Sequence, residues 1–242
     1  LAGASKLLIV PHGALHALPF NALWDGRRHL IESCEIVYAP SVSMLAHLAP
    51  SGKAVEPPLG ALVVGVPDRL APWIETEAQQ VAAVLGVSPV IGREATTDRV
   101  SRDVAGRDIV HLACHGRFSP DRPLASGLKL ADGWLTVRDI YALRLGASLV
   151  TLSGCETGRA TVGGGDELTG LVRGFFAAGA RSLLISLWTV NDESTAALMA
   201  DFYDAYREGA APAAALRGAQ RAALARNPHP AFWAPFMLGG HS

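Results

Sequence analysis

The chain has 242 residues, half of them apolar and 18% of them charged, with a formal net charge of −1 at pH 7. Such a length and apolar content predict one large folded domain and exclude a disordered chain. The balanced charge gives no indication of direct nucleic-acid binding or of attachment to a membrane surface. No apolar run reaches the roughly 18–20 residues that a membrane span needs.

The cysteines are few and odd in number: Cys34, Cys114 and Cys155. Such a set argues against a disulfide framework and favours a reducing compartment, so we expect a cytoplasmic protein. No signal peptide is predicted, because Lys6 interrupts the first apolar run and no cleavage-like sequence follows. Since the chain starts at Leu1 without an initiator Met, we expect residues 1–242 to form a single domain excised from a longer chain.

Short apolar runs rich in β-branched residues alternate with amphipathic segments along the chain. The runs predict β-strands at residues 6–11, 35–40, 61–66, 87–91, 108–113, 147–152 and 182–187. The amphipathic segments predict helices at residues 75–85, 97–104, 136–143, 166–178, 193–206 and 212–226. An Asp-Gly pair predicts a hairpin over 128–135, and the closing residues 232–238 predict a short turn and an edge strand.

This alternation predicts an α/β fold. We expect a three-layer α/β/α sandwich with a mostly parallel central sheet and helices on both faces. In the helix predicted over 166–178, Gly170 and Gly174 lower the helix propensity and indicate close packing against the sheet.

Two of the predicted strands lead to chemically capable residues beside glycine. The strand over 108–113 leads to His115-Gly116, and the strand over 147–152 leads to Gly154-Cys155. If the two strands are parallel neighbours, both residues lie past carboxyl ends on one edge, where open α/β sheets place active sites. Adjacent strands are about 4.8 Å apart, so a thiol nucleophile and its imidazole base could meet there.

The glycines suit the same chemistry. Gly116 lets bare backbone approach a substrate, and its N–H, with the backbone N–H of Cys155, would form an oxyanion hole. Because the thiolate is the reactive species, we expect His115 to lower the pKa of Cys155 or to take its proton. The alternative is that each of these residues is a buried or loop residue without chemistry, which is the common fate of a free cysteine.

At these positions the chain resembles a known family. His-Leu-Ala-Cys-His-Gly at 111–116 and Leu-Ser-Gly-Cys-Glu-Thr-Gly at 152–158 resemble the two signature motifs of CHAT domains. CHAT domains are caspase-like domains of the clan that includes caspases, separase and the gingipains. The chain is also similar to the family's other blocks, in the family's order, at residues 10–20, 165–180, 186–188 and 232–236. The resemblance covers nearly the whole chain and implies a caspase-like fold.

The resemblance implies a Cys–His dyad. Cys155 would attack the scissile carbonyl, and His115 would protonate the leaving amine and then activate water for deacylation. In the caspase signature the His lies about 50 residues before the Cys, and a glycine lies two positions after the Cys. Here the two residues lie 155 − 115 = 40 positions apart, and Gly158 lies three positions after the cysteine. Because the chain departs from this signature, we do not expect it to share the caspase preference for Asp at P1. His111 is expected to be buried and structural, and Cys114 to lie in the core.

The resemblance also implies where the P1 pocket forms. In this clan the segment after the strand that follows the nucleophile strand contributes to that pocket, and here it is residues 186–192. Separase-like members, which cut after basic residues, use an acidic residue from this region, and Asp192 is the candidate. Asp192 could equally be the N-cap of the helix that begins near Glu193. Trp188 could form a wall of the pocket or lie in the core.

The leading hypothesis is a cysteine endopeptidase that acts on a protein or peptide without a cofactor or metal. CHAT domains are commonly joined to helical repeats of the TPR type, so we expect an attached regulatory region. The alternative is a catalytically silent caspase-like module that binds partners, since fold alone does not establish activity. A third hypothesis, an acyltransferase or thioesterase with the same dyad, has no carrier-binding or cofactor-binding motif to support it.

Overall fold

The computed structural model describes residues 3–43, 60–117, 119, 121–153, 166–188 and 192–241, with the backbone alone at 166–169 and 192. Cys155 and the glycines on either side of it lie outside the described residues. Within the described part, strands and helices alternate as the sequence predicts.

The strands are β1 (Lys6–Ile9), β2 (Glu35–Tyr38), β3 (Ala61–Gly65), β4 (Val90–Ile91), β5 (Ile109–Ala113), β6 (Gly116–Arg117), β7 (Gly127–Lys129), β8 (Trp134–Thr136), β9 (Leu149–Leu152), β10 (Ser182–Ser186) and β11 (Phe236–Gly240). The α-helices are α1 (Leu30–Ser33), α2 (Ile74–Leu85), α3 (Thr97–Asp103), α4 (Val137–Ala142), α5 (Asp166–Ala177), α6 (Asp192–Arg207) and α7 (Pro212–Arg226). Short 3-10 turns lie at Gly13–Ala17, Phe20–Ala22, Gly92–Glu94, Pro123–Ala125 and Pro230–Phe232.

Among the described residues, eight strands form the central sheet in the order β1-β2-β11-β10-β9-β5-β3-β4. The five strands from β10 to β4 are parallel to one another. The other three, β1, β2 and β11, are also mutually parallel but run in the opposite direction, because β11 pairs antiparallel with β10. The prediction of a mostly parallel sheet is therefore confirmed.

The last strand does not lie where its sequence pattern predicts. β11 is an interior strand between β2 and β10, so the prediction of an edge strand is wrong. Its side chains are covered on both faces of the sheet, with Phe236 and Leu238 almost fully buried on one side and Met237 buried on the other.

Helices cover both faces of the sheet, which confirms the three-layer α/β/α prediction. α3, α4 and α5 pack on one face through buried side chains such as Val100, Ile140 and Phe175. α2, α6 and α7 pack on the other through residues such as Val81, Phe202 and Leu216. No helix in the described part of the chain is long and apolar enough to cross a membrane.

Local signals fix several helix ends. α4 begins with a capping box, in which the Thr136 hydroxyl accepts from the Asp139 N–H and the Asp139 carboxylate accepts from the Thr136 N–H. α2 ends at Gly86, which adopts the left-handed conformation at φ 68°.

The glycines of α5 do not pack as predicted. A Cβ at Gly174 would lie 3.3 Å from Ile140 of α4, and one at Gly170 would meet no described atom within 4 Å. The close contact seen is therefore with a helix and not with the sheet.

A second, three-stranded antiparallel sheet has the order β6-β7-β8. β7 and β8 form the hairpin predicted on the Asp-Gly turn, with Lys129 opposite Trp134. β6 was not predicted, because two residues are too few to show a period. This sheet begins directly after His115, so it lies beside the candidate site.

Candidate active site

β5 and β9 are parallel neighbours in register, as the site hypothesis requires. Leu112 lies opposite Leu152, and the N–H of Ser153 donates to the Leu112 carbonyl at 3.3 Å. His115 therefore follows β5 on the same edge at which the chain leaves β9 toward Cys155. The neighbourhood of the two strands is confirmed, and the approach of the two side chains stays a prediction because Cys155 lies outside the described residues.

His115 has a partner that the sequence analysis missed. Its Nε2 lies 3.0 Å from Oδ2 of Asp68, and its side chain is 24% exposed. Asp68 follows β3, which pairs with β5 on the side opposite β9. The N–H groups of Leu70 and Ala71 donate to the other carboxylate oxygen, Oδ1, at 2.8 and 3.0 Å. The carboxylate is thus held by its own loop and turned toward the imidazole.

The His115–Asp68 contact decides which imidazole nitrogen is available for chemistry. Desolvation raises the pKa of Asp68, but the hydrogen bond from His115 and those from the Leu70 and Ala71 N–H groups outweigh it, and the net pKa is lowered. Asp68 is therefore a carboxylate at neutral pH. The contact is close but not aligned as an ideal hydrogen bond. With Nε2 committed to a carboxylate, Nδ1 is the nitrogen that can exchange a proton with a neighbour.

A sequence signal for Asp68 exists. It is an acidic residue three positions past the end of a buried strand, on the same sheet edge as His115. Val-Val-Gly-Val-Pro-Asp at 63–68 could have been recognised as a third strand end that carries a polar group to this edge.

The backbone of Gly116 is oriented by the three-stranded sheet. Gly116 lies opposite Leu128, and the Lys129 N–H donates to the His115 carbonyl at 2.7 Å. This pattern makes Gly116 and Leu128 a non-hydrogen-bonded pair, whose N–H groups point away from each other's strand. Among the described strands β6 lies at the edge of this sheet, so the Gly116 N–H points to the side away from β7.

His111 and Cys114 are fully buried, as predicted. Desolvation by burial, together with the negative charge of Glu77, raises the pKa of Cys114 to about 12. This thiol therefore stays protonated and inert at neutral pH.

His111 lies in a buried polar cluster directly below the strand ends. Its Nε2 is 3.2 Å from Oε1 of Glu77, a contact that is close but not ideally aligned, and 3.5 Å from Oγ of Ser153. Its Nδ1 is 3.2 Å from the hydroxyl of Tyr203, which donates to Oγ1 of Thr151 at 2.7 Å. The Tyr203 hydroxyl thus bridges the His111 imidazole and the Thr151 hydroxyl. The cluster joins β5, β9, α2 and α6.

The two residues proposed for the P1 pocket follow β10, the next strand after β9. Trp188 is partly buried and packs against the apolar clusters on both sheet faces, and its carbonyl accepts from the Ser186 hydroxyl at 2.6 Å. Asp192 is the first residue of α6, and its side chain lies outside the described residues. The described residues contain no group of three or more His, Cys, Asp or Glu side chains that could hold a metal ion.

The family model for the CHAT domain matches residues 1–241. The chain belongs to the CHAT domain family. Relatives of this CHAT domain include Tetratricopeptide repeat protein 28 of Homo sapiens, which is 27% identical over 294 residues, and the protein of the same name in Mus musculus, which is 27% identical over 296 residues. Each match covers 97% of this chain, and the chain spans 12% of the length of each relative.

The CHAT domain is similar in fold to two caspase-like peptidases of known structure. Separase of Saccharomyces cerevisiae, solved in a separase–securin complex, matches with a TM-score of 0.65 and 14% identity over 93% of this chain and 15% of that one. The Arg-specific cysteine proteinase gingipain R matches with a TM-score of 0.64 and 8% identity over 90% of this chain and 56% of that one. At these identities the similarity shows the fold and not the activity.

The buried cluster around His111 predicts a stability effect. In Tyr203→Phe, the buried polar groups of His111 and Thr151 each lose their contact with the Tyr203 hydroxyl. Leaving buried polar groups unpaired costs about 1–3 kcal/mol, so we expect the free energy of unfolding in urea to fall by that amount. Tyr141→Phe is the matched control, because Tyr141 is 46% exposed, and we expect it to change stability by less than about 0.5 kcal/mol. Equal stability of the two variants would contradict the role of the hydroxyl.

Proposed function

We propose that this CHAT domain is a cysteine endopeptidase that uses Cys155 and His115 to hydrolyse peptide bonds. The observation that carries the proposal is the placement of His115. His115 follows β5 and contacts Asp68, and β5 pairs with β9, the strand that leads to Cys155. In the proposed reaction His115 takes the thiol proton of Cys155, the sulfur attacks the scissile carbonyl, and His115 gives that proton to the leaving amine. His115 then takes a proton from the water that hydrolyses the acyl-enzyme and returns it to the departing Cys155 sulfur.

Asp68 would orient the base. A carboxylate at Nε2 favours the tautomer in which Nδ1 is free to accept a proton, and it stabilises the imidazolium that forms during the reaction. The two N–H groups that hold Asp68 fix the direction from which it acts.

The N–H groups of Gly116 and Cys155 would stabilise the oxyanion. The pairing of Gly116 with Leu128 supports this role for the glycine, because its N–H is not used in the ladder to β7.

The proposed substrate has a basic residue at P1. Asp192, at the start of α6, would pair with its charge, and Trp188 would form a wall of the pocket. Both residues follow β10, the strand next to β9. One protein of similar fold, gingipain R, is named as Arg-specific, and this supports the same preference here.

Regulation would come from a region outside this domain. The curated relatives are named for tetratricopeptide repeats, and this chain spans 12% of each, which supports a longer protein in which a repeat region controls the protease. The proposed location is the cytoplasm, on the basis of the sparse cysteines, of which Cys34 and Cys114 are free.

A silent interaction module is the second candidate. The observation in its favour is that the name of the curated relatives mentions repeats and no enzymatic activity. The two candidates differ in whether Cys155 is an activated thiol.

Peptide cleavage by the purified domain is the direct test. We expect a peptide library to be cut, Cys155→Ala to abolish cutting, and His115→Ala to lower it by at least about 100-fold, the contribution of general acid–base catalysis.

Thiol labelling separates the candidates without a substrate. Burial raises the pKa of Cys34, and that of Cys114 to about 12, so both stay protonated near pH 7. Iodoacetamide should therefore modify Cys155 alone. Uncut peptides together with equal or absent labelling of the three cysteines would favour the silent module.

Asp68→Asn tests the orienting role. The amide removes the charge and no longer fixes the imidazole tautomer, so we expect kcat to fall roughly tenfold to 100-fold with little change in KM. Asp204→Asn, at an exposed position in α6, is the control and should leave kcat unchanged. Full activity of Asp68→Asn would show that the His115–Asp68 contact has no catalytic role.

Asp192→Asn tests the P1 pocket separately from helix capping. Asp192 is the first residue of α6, where losing a negative charge costs about 0.3–1 kcal/mol at most, so thermal stability should fall only slightly. Preference for Arg or Lys over neutral residues at P1 should fall roughly tenfold or more, because the charge pair is lost. Glu193→Gln, at the next position of α6, should retain the preference. A library profile dominated by Asp or an aliphatic residue at P1 would reject the assignment.

A further inference from the structure

The outward face of the three-stranded sheet presents cations beside the candidate site. Gly116, Leu128 and Leu135 form one row across β6, β7 and β8, and all three are buried. Side chains alternate between faces along a strand, so the flanking positions point outward. They include Arg117, which is exposed, and the register pair Lys129 and Trp134, which are partly exposed. We call Arg117, Lys129 and Trp134 the cationic face.

Both cations are held against one indole ring. The guanidinium carbon of Arg117 lies 4.2 Å from the centroid of the Trp134 ring, and Nζ of Lys129 lies 5.5 Å from it. Arg117 also donates from Nη2 to the Ala125 carbonyl at 3.2 Å. These contacts restrict two long side chains before any ligand arrives, which reduces the entropy that binding would otherwise cost.

The next property of the cationic face is its charge. Among the described residues, no carboxylate lies within ion-pair distance of either cation. Asp132 is in the same hairpin, and its carboxylate accepts from the N–H and the hydroxyl of Thr97. That N–H bond is the main reason for its lowered pKa, with Lys129 a minor one. Two pre-positioned cations with no ion-pair partner in the described part of the chain favour an anionic ligand, and Arg suits the planar, two-oxygen geometry of a carboxylate.

The cationic face lies next to His115, on the side where the chain continues into β6. The Lys129 N–H donates to the His115 carbonyl, and Arg117 lies two residues past His115, about 7 Å along an extended chain. In the proposed reaction His115 protonates the leaving amine, which is the first atom of the substrate half that follows the scissile bond. That half lies on the His115 side of the scissile bond, and the three-stranded sheet begins directly after His115.

We propose that the cationic face binds an acidic side chain of the substrate, located one to three residues after the scissile bond. This inference rests on the proposed endopeptidase function and adds a second element of substrate preference to it. A substrate of this class would have a basic residue before the scissile bond and an acidic one shortly after it.

The test uses fluorogenic peptides with one fixed sequence before the scissile bond and Glu, Gln or Lys at each of the three positions after it. At one of those positions we expect kcat/KM for Glu to exceed that for Gln by roughly fivefold, the size of a partly exposed charge pair, and to exceed that for Lys by more. Arg117→Ala combined with Lys129→Ala should reduce this preference below about twofold. Arg117→Glu with Lys129→Glu should reverse it in favour of Lys. Raising the salt concentration should weaken the wild-type preference, because salt screens exposed charges.

Arg221→Ala, at an exposed position on α7, is the matched control and should leave the preference unchanged. Binding of the same peptides to Cys155→Ala, measured by fluorescence anisotropy, supplies a readout that does not need cleavage. Cleavage without any preference for Glu would overturn this inference and leave the proposed function intact. Absent cleavage with a Glu-dependent affinity lost in the double alanine variant would overturn the proposed function and support an acidic ligand. Absent cleavage with equal affinities would overturn both.

Discussion

The parallel pairing of β5 and β9 is the interaction on which the candidate site depends. Four residues of each strand are in register, from Ile109 opposite Leu149 to Leu112 opposite Leu152. All eight side chains are at most 1% exposed, so this ladder lies in the centre of the sheet with helices on both faces. Its register determines that the chain leaves β5 toward His115 and leaves β9 toward Cys155 at the same height. The three-stranded sheet and α4 lie in the connection between the two strands, as a parallel crossover requires.

The buried polar cluster makes that register specific. His111 and Thr151 are register partners, and the Tyr203 hydroxyl contacts both. A slip of one residue would turn His111 into the apolar cluster on the opposite face and leave the Glu77 carboxylate buried without its imidazole. Burying an unpaired carboxylate is costly, whereas a buried pair contributes little net stability compared with an apolar core. The cluster therefore contributes more to the choice of one register than to the stability of that register.

Local patterns in the sequence predicted most of the elements and the positions of the two strand ends. α7 runs over the predicted 212–226, and α5 differs from its prediction by one residue, because each has a clear period or a proline start. The interior position of β11 could not be predicted in this way, since strand order depends on pairing between distant segments. The sequence marks Asp68 as a polar residue past a strand end, but its contact with His115 depends on the same kind of distant pairing. Asp68 meets His115 across 115 − 68 = 47 positions, and only the pairing of β3 with β5 brings them together. Gly174 was assigned to the wrong partner, because a small residue indicates close packing without indicating which element approaches.

The strand directions limit where a substrate can lie. β3, β5, β9 and β10 are parallel neighbours, and their carboxyl ends lead in order to Asp68, His115, Ser153 and Trp188 along one edge. Beyond β10 the direction reverses, because β11 presents its amino end to that edge. Three strand intervals of about 4.8 Å span roughly 14 Å from β3 to β10, which is the length of about four extended residues. A peptide across this edge would have its P1 side chain near β10 and its leaving half near the three-stranded sheet. The proposed basic preference through Asp192 and the proposed acidic preference through the cationic face would therefore lie on opposite sides of the dyad. Their opposite charges would orient the substrate in one direction.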